Sequence, residues 1–259
     1  MNTMTDPMFD LAVARKVDQF DAISLSEMDN VSLMNRTDTK FIVPIGKLPA
    51  LLDDLLPYYR CLAVEGYRRC DYNTLYFDTP DLQLYHDHQR GRLKRYKIRR
   101  RRYVQSNQSF LEVKLKNNKG RTIKNRITQP LLPFVSGYDA GGDFLSRHTP
   151  FGPDMLQPVL WVDYTRITLV NRHTTERLTL DLDLTFHMGR KEKKYPTIMV
   201  AEVKQESLRH SVFLDLMKQQ GIRPGGISKY CLGMMSLYQP IKCNRLKPKW
   251  LHFQKIMMQ

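Results

Sequence analysis

Residues 90–126 hold most of the positive charge of the chain. This segment contains fifteen Lys or Arg and one acid, Glu112, and so contributes +14 to a formal net charge of +15 at pH 7. Four of its cations recur at every second position: Arg95, Lys97, Arg99 and Arg101. Period two is the repeat of a β-strand, so these side chains share one strand face. A face so dominated by one charge sign predicts a binding site for a polyanion.

Carboxylates accompany lysines at the same strand spacing. Glu-Val-Lys occurs at 112–114 and again at 202–204, and Asp181 and Asp183 offer two carboxylates on one strand face. Divalent metal ions bind carboxylate oxygens, whereas phosphate oxygens bind Arg forks and Lys. These patterns together favour a metal-bridged phosphate site, with Glu202 either a metal ligand or the ion-pair partner of a lysine. Glu112 is expected to orient neighbouring cations. The chain has no GxxxxGK[ST] phosphate loop.

Composition narrows the class of protein. The 259 residues are 42% hydrophobic and 26% charged, which is typical of a globular chain of one large or two small domains. No apolar run is long enough for a transmembrane helix, and no secretory signal is recognisable at residues 1–10. The four cysteines form no CxxC pair, so we expect reduced thiols and a cytoplasmic protein. The excess positive charge predicts nucleic acid, an anionic membrane surface or phosphate chains as the ligand.

Alternating apolar and polar residues predict eight strands, at about 36–43, 72–78, 92–103, 109–117, 121–128, 159–170, 177–187 and 198–206. Hairpin-length links join four of them into an antiparallel meander. The clearest alternation, in 177–187, places five apolar side chains on one face: Leu178, Leu180, Leu182, Leu184 and Phe186. Helices are predicted at 46–59, 207–220 and 228–238. The basic tail at 242–259 is expected to be loosely held.

These elements predict an α+β, β-dominated fold. Eight antiparallel strands can close into a barrel around a polar interior, whereas the alternative is an open sheet with a solvated charged face. The acid–base pairs favour a closed eight-stranded antiparallel β-barrel with flanking helices. The expected domains are an N-terminal helical segment at 1–30, a tunnel domain at 31–240 and a basic C-terminal tail at 241–259.

Several longer motifs resemble a known family. They are YFDTP at 76–80, KIRRRRY at 97–103, FLEVKLK at 110–116, GRTIKNRI at 120–127, DYTRITL at 163–169, RLTLDLDLTF at 177–186, AEVK at 201–204 and SKYCLG at 228–233. In this order they resemble the VTC domain, the polyphosphate polymerase module of the vacuolar transporter chaperone complex. The resemblance extends from about Val31 to Tyr238. It implies a triphosphate tunnel metalloenzyme, with the triphosphate held in a basic barrel, in the stand-alone form expected of a prokaryotic member.

The resemblance also implies roles for individual residues. Expected catalytic cations are Lys40, Arg99, Arg101, Lys114, Arg166 and Arg177. Expected phosphate-binding residues are Lys97, Lys124, Arg126, Ser228 and Lys229. Glu202 corresponds to the family's metal-binding glutamate, for Mn²⁺ or Mg²⁺. One departure is Gly226, which stands where the eukaryotic polymerases carry another lysine.

The implied activity is metal-dependent transfer of the γ-phosphate of ATP to a growing polyphosphate chain. The alternatives are an inorganic or nucleoside triphosphatase of the same fold and a non-catalytic polyphosphate- or RNA-binding module. The first strand carries Arg36, Asp38 and Lys40 where triphosphatase relatives carry E-x-E-x-K, which weakens the case for a two-metal hydrolase. Expected partners are ATP and inorganic polyphosphate, with no sequence-specific nucleic acid and no membrane insertion. A membrane-protein partner is compatible with the sequence, which does not indicate the oligomeric state.

Overall fold

A computed structural model describes residues 6–29, 37–129, 140–206, 210–226 and 228–258. These residues form eleven strands: β1 (Ala22–Ile23), β2 (Thr37–Pro44), β3 (Tyr59–Leu62), β4 (Arg69–Asp78), β5 (Arg95–Tyr103), β6 (Gln108–Lys116), β7 (Thr122–Thr128), β8 (Gln157–Asn171), β9 (Arg177–Met188), β10 (Lys191–Tyr195) and β11 (Ile198–Gln205). Arg36, predicted on the first long strand, lies outside the described residues.

The same residues form eight α-helices: α1 (Pro7–Asp18), α2 (Leu25–Asp29), α3 (Leu48–Leu55), α4 (Gln83–Gln89), α5 (Ala140–His148), α6 (Val212–Gln219), α7 (Lys229–Leu237) and α8 (Lys247–Met257). None of these described helices is both long and apolar enough to cross a membrane. Cys61, Cys70, Cys231 and Cys243 are all free thiols.

Eight strands form one hydrogen-bonded path in the order β2-β11-β9-β8-β4-β5-β6-β7, and every pair along it is antiparallel. The predicted meander is confirmed, since β4 to β7 follow one another in the sheet. Asn117 shapes the last turn of the meander, because its side-chain oxygen accepts from the backbone amides of Lys119 and Arg121. Gly120 supplies the positive φ that this turn requires.

The predicted closed barrel is not formed. In the part of the chain that the structure describes, β2 and β7 end the path and do not pair with each other. Side chains from all eight strands of the path nevertheless line one cavity, so the sheet curves around its cationic face without a closing ladder. Both edge strands carry cavity-lining cations, Lys40 on β2 and Lys124 and Arg126 on β7. Like charges directly opposite one another destabilise a strand pair, which disfavours closure.

The convex face of the sheet is apolar and covered by helices. Leu178, Leu180 and Leu182 of β9 are buried in one cluster with residues of α1, α3 and α6. A second cluster joins the outer face of β4, β5 and β6 to α5 through residues such as Ile98, Leu111 and Phe144. Burial of these side chains supplies the main driving force for folding.

A β-bulge divides the predicted apolar face of β9. Asp183 has a φ of +53°, and the register with β8 shifts between Asp163 and Thr165. Because one extra residue reverses the side-chain alternation, Leu184 and Phe186 join a different cluster from Leu182. The prediction of a single leucine face is therefore wrong beyond the bulge.

Leu184 and Phe186 pack against α7, which lies across one end of the cavity. Gly233 allows this close approach, because a Cβ there would stand 2.6 Å from atoms of both Leu160 and Phe186. The C-terminal helix α8 joins the same cluster through Phe253, which is fully buried. The expectation of a loosely held tail is therefore wrong for the described residues.

Candidate functional site

The concave face of the sheet encloses a cavity of about 650 Å³. Its lining contains eleven Lys and Arg and two acids, Asp38 and Glu202. The cations are Lys40, Lys97, Arg99, Arg101, Lys114, Lys124, Arg126, Arg166, Arg177, Lys204 and Lys229. The structure thus brings together all twelve residues expected to act in catalysis, phosphate binding or metal binding, since Ser228 and Glu202 line the same cavity. Sequence alternation could place each cation on a strand face, but only the sheet topology shows that these faces meet.

One wall of the cavity is organised around Glu112, whose carboxylate is only 1% exposed. Nε of Arg99 donates to Oε2 of Glu112 at 2.7 Å, and Nζ of Lys124 lies 2.5 Å from Oε1. Burial favours the neutral acid, but Arg99, Arg101 and Lys124 hold the pKa of Glu112 below its usual range. Glu112 therefore remains ionised and orients these cations, as the sequence predicted.

Asp181 has the corresponding role on the opposite wall. Arg166 donates to it through two nitrogens, at 2.5 and 2.9 Å, and Nζ of Lys229 contacts Oδ2. Burial opposes ionisation, but Arg166 and Lys229 keep the pKa of Asp181 low. Asp183 is itself at the bulge, and burial together with Asp10 and Asp71 raises its pKa. The predicted sharing of one strand face by Asp181 and Asp183 is therefore wrong, because the bulge separates them.

Glu202 lies between two lysines. Nζ of Lys40 donates to its Oε1 at 2.5 Å, and Nζ of Lys204 lies 3.7 Å from Oε2. Lys40 is directly opposite Glu202 in the β2–β11 ladder. Burial raises the pKa of Glu202, but Lys204 and Lys40 outweigh burial and lower it.

A metal ion at this position would receive one carboxylate from the protein. Within the described ranges, no three His, Cys, Asp or Glu side chains come together as a metal site. Mg²⁺ is commonly held by one or two carboxylates plus substrate phosphates and water, and Mn²⁺ prefers the same oxygen ligands. Glu202 fits such a cation if Lys40 moves from the carboxylate to a phosphate.

Tyrosines that were not singled out as site residues line the same cavity. Tyr72 and Tyr164 stack with ring centroids 5.1 Å apart, and the guanidiniums of Arg101 and Arg166 lie 5.4 and 4.9 Å from the Tyr72 centroid. These cation–π contacts fix the planes of both guanidiniums. Tyr72 and Tyr76 also alternate on one face of β4, which is the sequence signal that could have revealed them.

Tyr76, which also lines the cavity, contacts Arg99. Its hydroxyl oxygen accepts from Nη1 of Arg99 at 3.3 Å. Burial favours the neutral phenol, but Arg99, Arg101 and Lys97 lower the pKa of Tyr76 to about 8. The effect of these cations on the pKa of Tyr76 therefore outweighs the opposite effect of burial.

Lysines of like charge face one another across the β5–β6–β7 ladder. Lys97 is opposite Lys114, and Lys114 is opposite Lys124. Among the described residues, neither Lys97 nor Lys114 has a hydrogen-bond or ion-pair partner. Burial, Lys97 and Arg99 lower the pKa of Lys114 from 10.5 to about 8. Such an arrangement is unfavourable unless an anion neutralises it.

The remaining predicted residues lie at the margins of the cavity. The guanidinium of Arg126 lies 4.6 Å from the Phe110 ring centroid, and Nη2 of Arg177 donates to the Met28 carbonyl at 3.4 Å. Ser228 caps α7 by accepting from the Cys231 amide at 3.1 Å, which fixes the start of the helix that carries Lys229.

Comparison with known proteins gives a family match over most of the chain. A family model described as the VTC domain matches residues 35–134 and 153–238. No curated protein sequence gives a significant match.

Solved structures of similar fold include an adenylyl cyclase candidate from Hippeastrum, described as having a dominant triphosphatase activity. It is 15% identical, with a TM-score of 0.50 over 80% of this chain and 98% of its own. An adenylate cyclase candidate from Bacillus halodurans is 16% identical, with a TM-score of 0.45 over 75% of this chain and 96% of its own. Another from Vibrio parahaemolyticus is 13% identical, with a TM-score of 0.45 over 78% and 99%.

Proposed function

The chain belongs to the VTC domain family, and from this premise we propose that it is a polyphosphate polymerase. In this reaction the γ-phosphate of ATP is transferred to the end of a growing inorganic polyphosphate chain, and ADP is released. The observation that carries the proposal is the cavity with eleven cations and two acids in its lining. A compact neutral ligand would leave those charges unbalanced, whereas a chain of phosphates matches both their sign and their extended arrangement.

Arginines on facing walls would hold the phosphoryl oxygens. Arg99, Arg101 and Arg166 are already oriented by Glu112, the tyrosines and Asp181, so little reorganisation is needed when the substrate binds. Arg177 would contact the substrate at one end of the cavity. Lys40, Lys114 and Lys229 would neutralise charge that builds up in the transition state.

The chemical step needs no protein nucleophile. An oxygen of the terminal phosphate of the acceptor chain would attack the γ-phosphorus and form the new P–O bond. The bond from the γ-phosphorus to the bridging oxygen would break, and ADP would leave with the electron pair. Catalysis in such a step consists of positioning and charge stabilisation.

A divalent cation, Mn²⁺ or Mg²⁺, would supply Lewis-acid stabilisation of the phosphate oxygens. Glu202 would hold this cation. Lys40, whose ammonium lies 2.5 Å from Glu202, would then be free to contact a phosphate. Lys204 would remain close enough to keep Glu202 ionised.

A triphosphatase is the second candidate. It is favoured by the fold shared with the Hippeastrum protein, which is described as having triphosphatase activity. The same cationic cavity would bind the triphosphate, and water would replace the acceptor chain as the nucleophile. The scarcity of acids in the cavity lining disfavours activation of water by two metal ions.

Incubation of the purified protein with ATP and Mn²⁺, followed by gel electrophoresis, distinguishes these functions. Long phosphate chains and ADP are expected. Release of free phosphate without chains would identify a triphosphatase, and no turnover would indicate a binding module. Glu202→Ala should abolish metal-dependent turnover, whereas Glu192→Ala, which removes a half-exposed acid, should not. Full activity of the Glu202 variant would refute the metal assignment.

We place this activity in the cytoplasm, where ATP is available and the four free thiols would stay reduced. ATP and inorganic polyphosphate would be its ligands, and a membrane protein is a suitable acceptor for the product chain. Cell fractionation with an antibody against the protein tests both points. If the protein fractionates with membranes only when a membrane-protein partner is present, the partner is supported. If the protein is found in an oxidising compartment, the cytoplasmic location is contradicted.

A further inference from the structure

The cationic lining of the cavity continues onto the outer surface at one end. We call this end, where β5 begins and β6 ends, the lower mouth. Six cations gather there and are called the mouth surface: Arg90, Arg92, Arg95, Lys116, Arg245 and Lys249. The last two come from the C-terminal segment around α8, beyond the part of the chain that the family model matches.

The mouth surface is continuous with the cavity through successive cross-strand pairs. Lys97 faces Lys114 inside the cavity, and one step further out Arg95 faces Lys116. Residues two apart along a strand are separated by roughly 6.6 Å. The two ladders therefore form a regular double row of cations that leads from the interior to the surface.

Packing of α8 fixes the C-terminal cations in place. Phe253 is fully buried against Tyr195, with ring centroids 4.9 Å apart, and Trp250 stacks on Phe253. Nη1 of Arg245 donates to the carbonyl of Arg90. Nζ of Lys249 donates to the carbonyl of Gly226 at 3.3 Å.

His88 lies among cations from all of these elements. Burial, followed by Lys97, Arg95, Lys249 and Lys116, lowers its pKa to about 2. These four cations come from β5, β6 and α8, so their convergence on one imidazole shows that the interior row and the tail meet. His88 therefore stays neutral and does not change the charge of this patch.

Few acids balance the mouth surface. The sequence has no Asp or Glu between Asp87 and Glu112, and none after Asp215. Asp87 pairs with Arg92, whose Nε lies 3.2 Å from its carboxylate. The guanidinium of Arg245 and the ammonium of Lys249 are bonded to backbone carbonyls, which leaves their charge uncompensated.

We propose that the mouth surface binds the part of a polyphosphate chain that extends beyond the cavity. This inference rests on the proposed function, since it requires a phosphate chain in the cavity. A long chain would contact the interior row and the mouth surface together, whereas tripolyphosphate would contact the interior row alone. An anionic membrane or a nucleic acid would use the outer cations without requiring their continuity with the interior.

The experiment compares two triple variants of equal charge. Lys116→Gln, Arg245→Gln and Lys249→Gln together remove three cations of the mouth surface. Arg15→Gln, Lys47→Gln and Lys218→Gln together remove exposed cations near the convex face. Fluorescence anisotropy measures binding of long-chain polyphosphate, tripolyphosphate, single-stranded RNA and vesicles containing phosphatidylserine, each over a range of salt concentrations.

The first triple variant should lose about tenfold in affinity for long-chain polyphosphate, with a shallower salt dependence. Its affinity for tripolyphosphate should stay within about twofold, and the control triple should match wild type for both ligands. Equal losses in both triples would show general attraction of polyanions and overturn the inference. A loss confined to vesicles or to RNA would assign the surface to those partners and also overturn it.

Failure of the polymerase proposal and failure of the mouth-surface proposal give different experimental results. A wild-type protein that makes no chains, yet binds long-chain polyphosphate more tightly through these cations, would refute the polymerase and support the mouth surface. A protein that makes chains and binds long and short phosphates equally would support the polymerase and refute the mouth surface.

Discussion

The two faces of β9 show how differently this molecule treats its apolar and its charged side chains. On the convex face, Leu178, Leu180 and Leu182 are covered by the protein's own helices. On the concave face, Arg177, Thr179 and Asp181 belong to the cavity and its ion pairs. The apolar side chains of the convex face are therefore buried without any ligand. On the concave face, lysines lie opposite lysines, and a bound anion would neutralise their repulsion.

This difference separates stability from function. Convex side chains stabilise the fold through burial and should matter little for affinity. Concave cations are held at a cost in stability, which natural proteins tolerate at functional sites. Substitutions on the convex face should therefore change stability, and substitutions on the concave face should change ligand binding and turnover.

The largest effect is expected from Arg101→Met. Arg101 donates to Thr74 at 3.3 Å and stacks over Tyr72. Among the described residues its loss breaks no ion pair, whereas it removes a proposed phosphate contact. Turnover should fall by about 10²- to 10³-fold, while the melting temperature stays constant or rises. Steady-state kinetics with ATP and differential scanning calorimetry measure the two quantities. Unchanged turnover would contradict a role for Arg101 in the reaction.

Leu180→Ala should lower the stability of the protein and leave its turnover unchanged. Leu180 is fully buried beneath the covering helices, so the cavity left by truncation should cost about 3 kcal/mol of unfolding free energy. Turnover per folded molecule should remain that of wild type. Leu93→Ala serves as the control, because Leu93 is 62% exposed. Urea denaturation measures the stability, and a strong loss of turnover at low temperature would show that the two faces are coupled.

Tripolyphosphate should stabilise the protein through the concave face alone. At a ligand concentration one hundred times the dissociation constant, the expected gain is about 2.7 kcal/mol. The gain should shrink with added salt and nearly vanish in Arg101→Met, yet persist in Leu180→Ala. Thermal shift measurements at several salt concentrations test this. A gain of equal size in both variants would mean that the anion binds elsewhere.

Lys114→Gln should give the smallest effect and a distinctive pH dependence. The folded-state pKa of Lys114 is lowered from 10.5 to about 8, so its charge costs stability at pH 7. This cost shrinks as pH rises from about 8 and disappears only near the unfolded pKa of roughly 10.4. The variant should be more stable than wild type by about 1 kcal/mol at pH 7, with the difference closing between about pH 8 and pH 10.5. Tripolyphosphate affinity of wild type should fall over the same pH range. Urea denaturation and calorimetric titration at each pH measure both, and a pH-independent difference would contradict this origin.

Strand positions and cation faces were predictable because they depend on local alternation. The repeat at 95–101 and the turn at Asn117 follow from residue type and spacing, and the meander β4 to β7 followed from them. The buried position of Glu112 beside Arg99 agrees with its expected orienting role.

Features that depend on long-range packing could not be read from the sequence. The bulge at Asp183 reverses the alternation of β9 without a Gly or Pro to mark it. Ion pairing of Asp181 with Arg166 depends on the β8–β9 register. The open edge between β2 and β7 and the docking of Phe253 depend on how distant elements meet.

A crystal structure with bound tripolyphosphate and Mn²⁺ tests the central claim most directly. The phosphates should lie in the cavity, with oxygens within hydrogen-bond distance of Arg99, Arg101 and Arg166, and the metal should contact Glu202. Binding of the anion only on the outer surface, with the ion pairs of Glu112, Asp181 and Glu202 unchanged and the cavity filled by water, would contradict it.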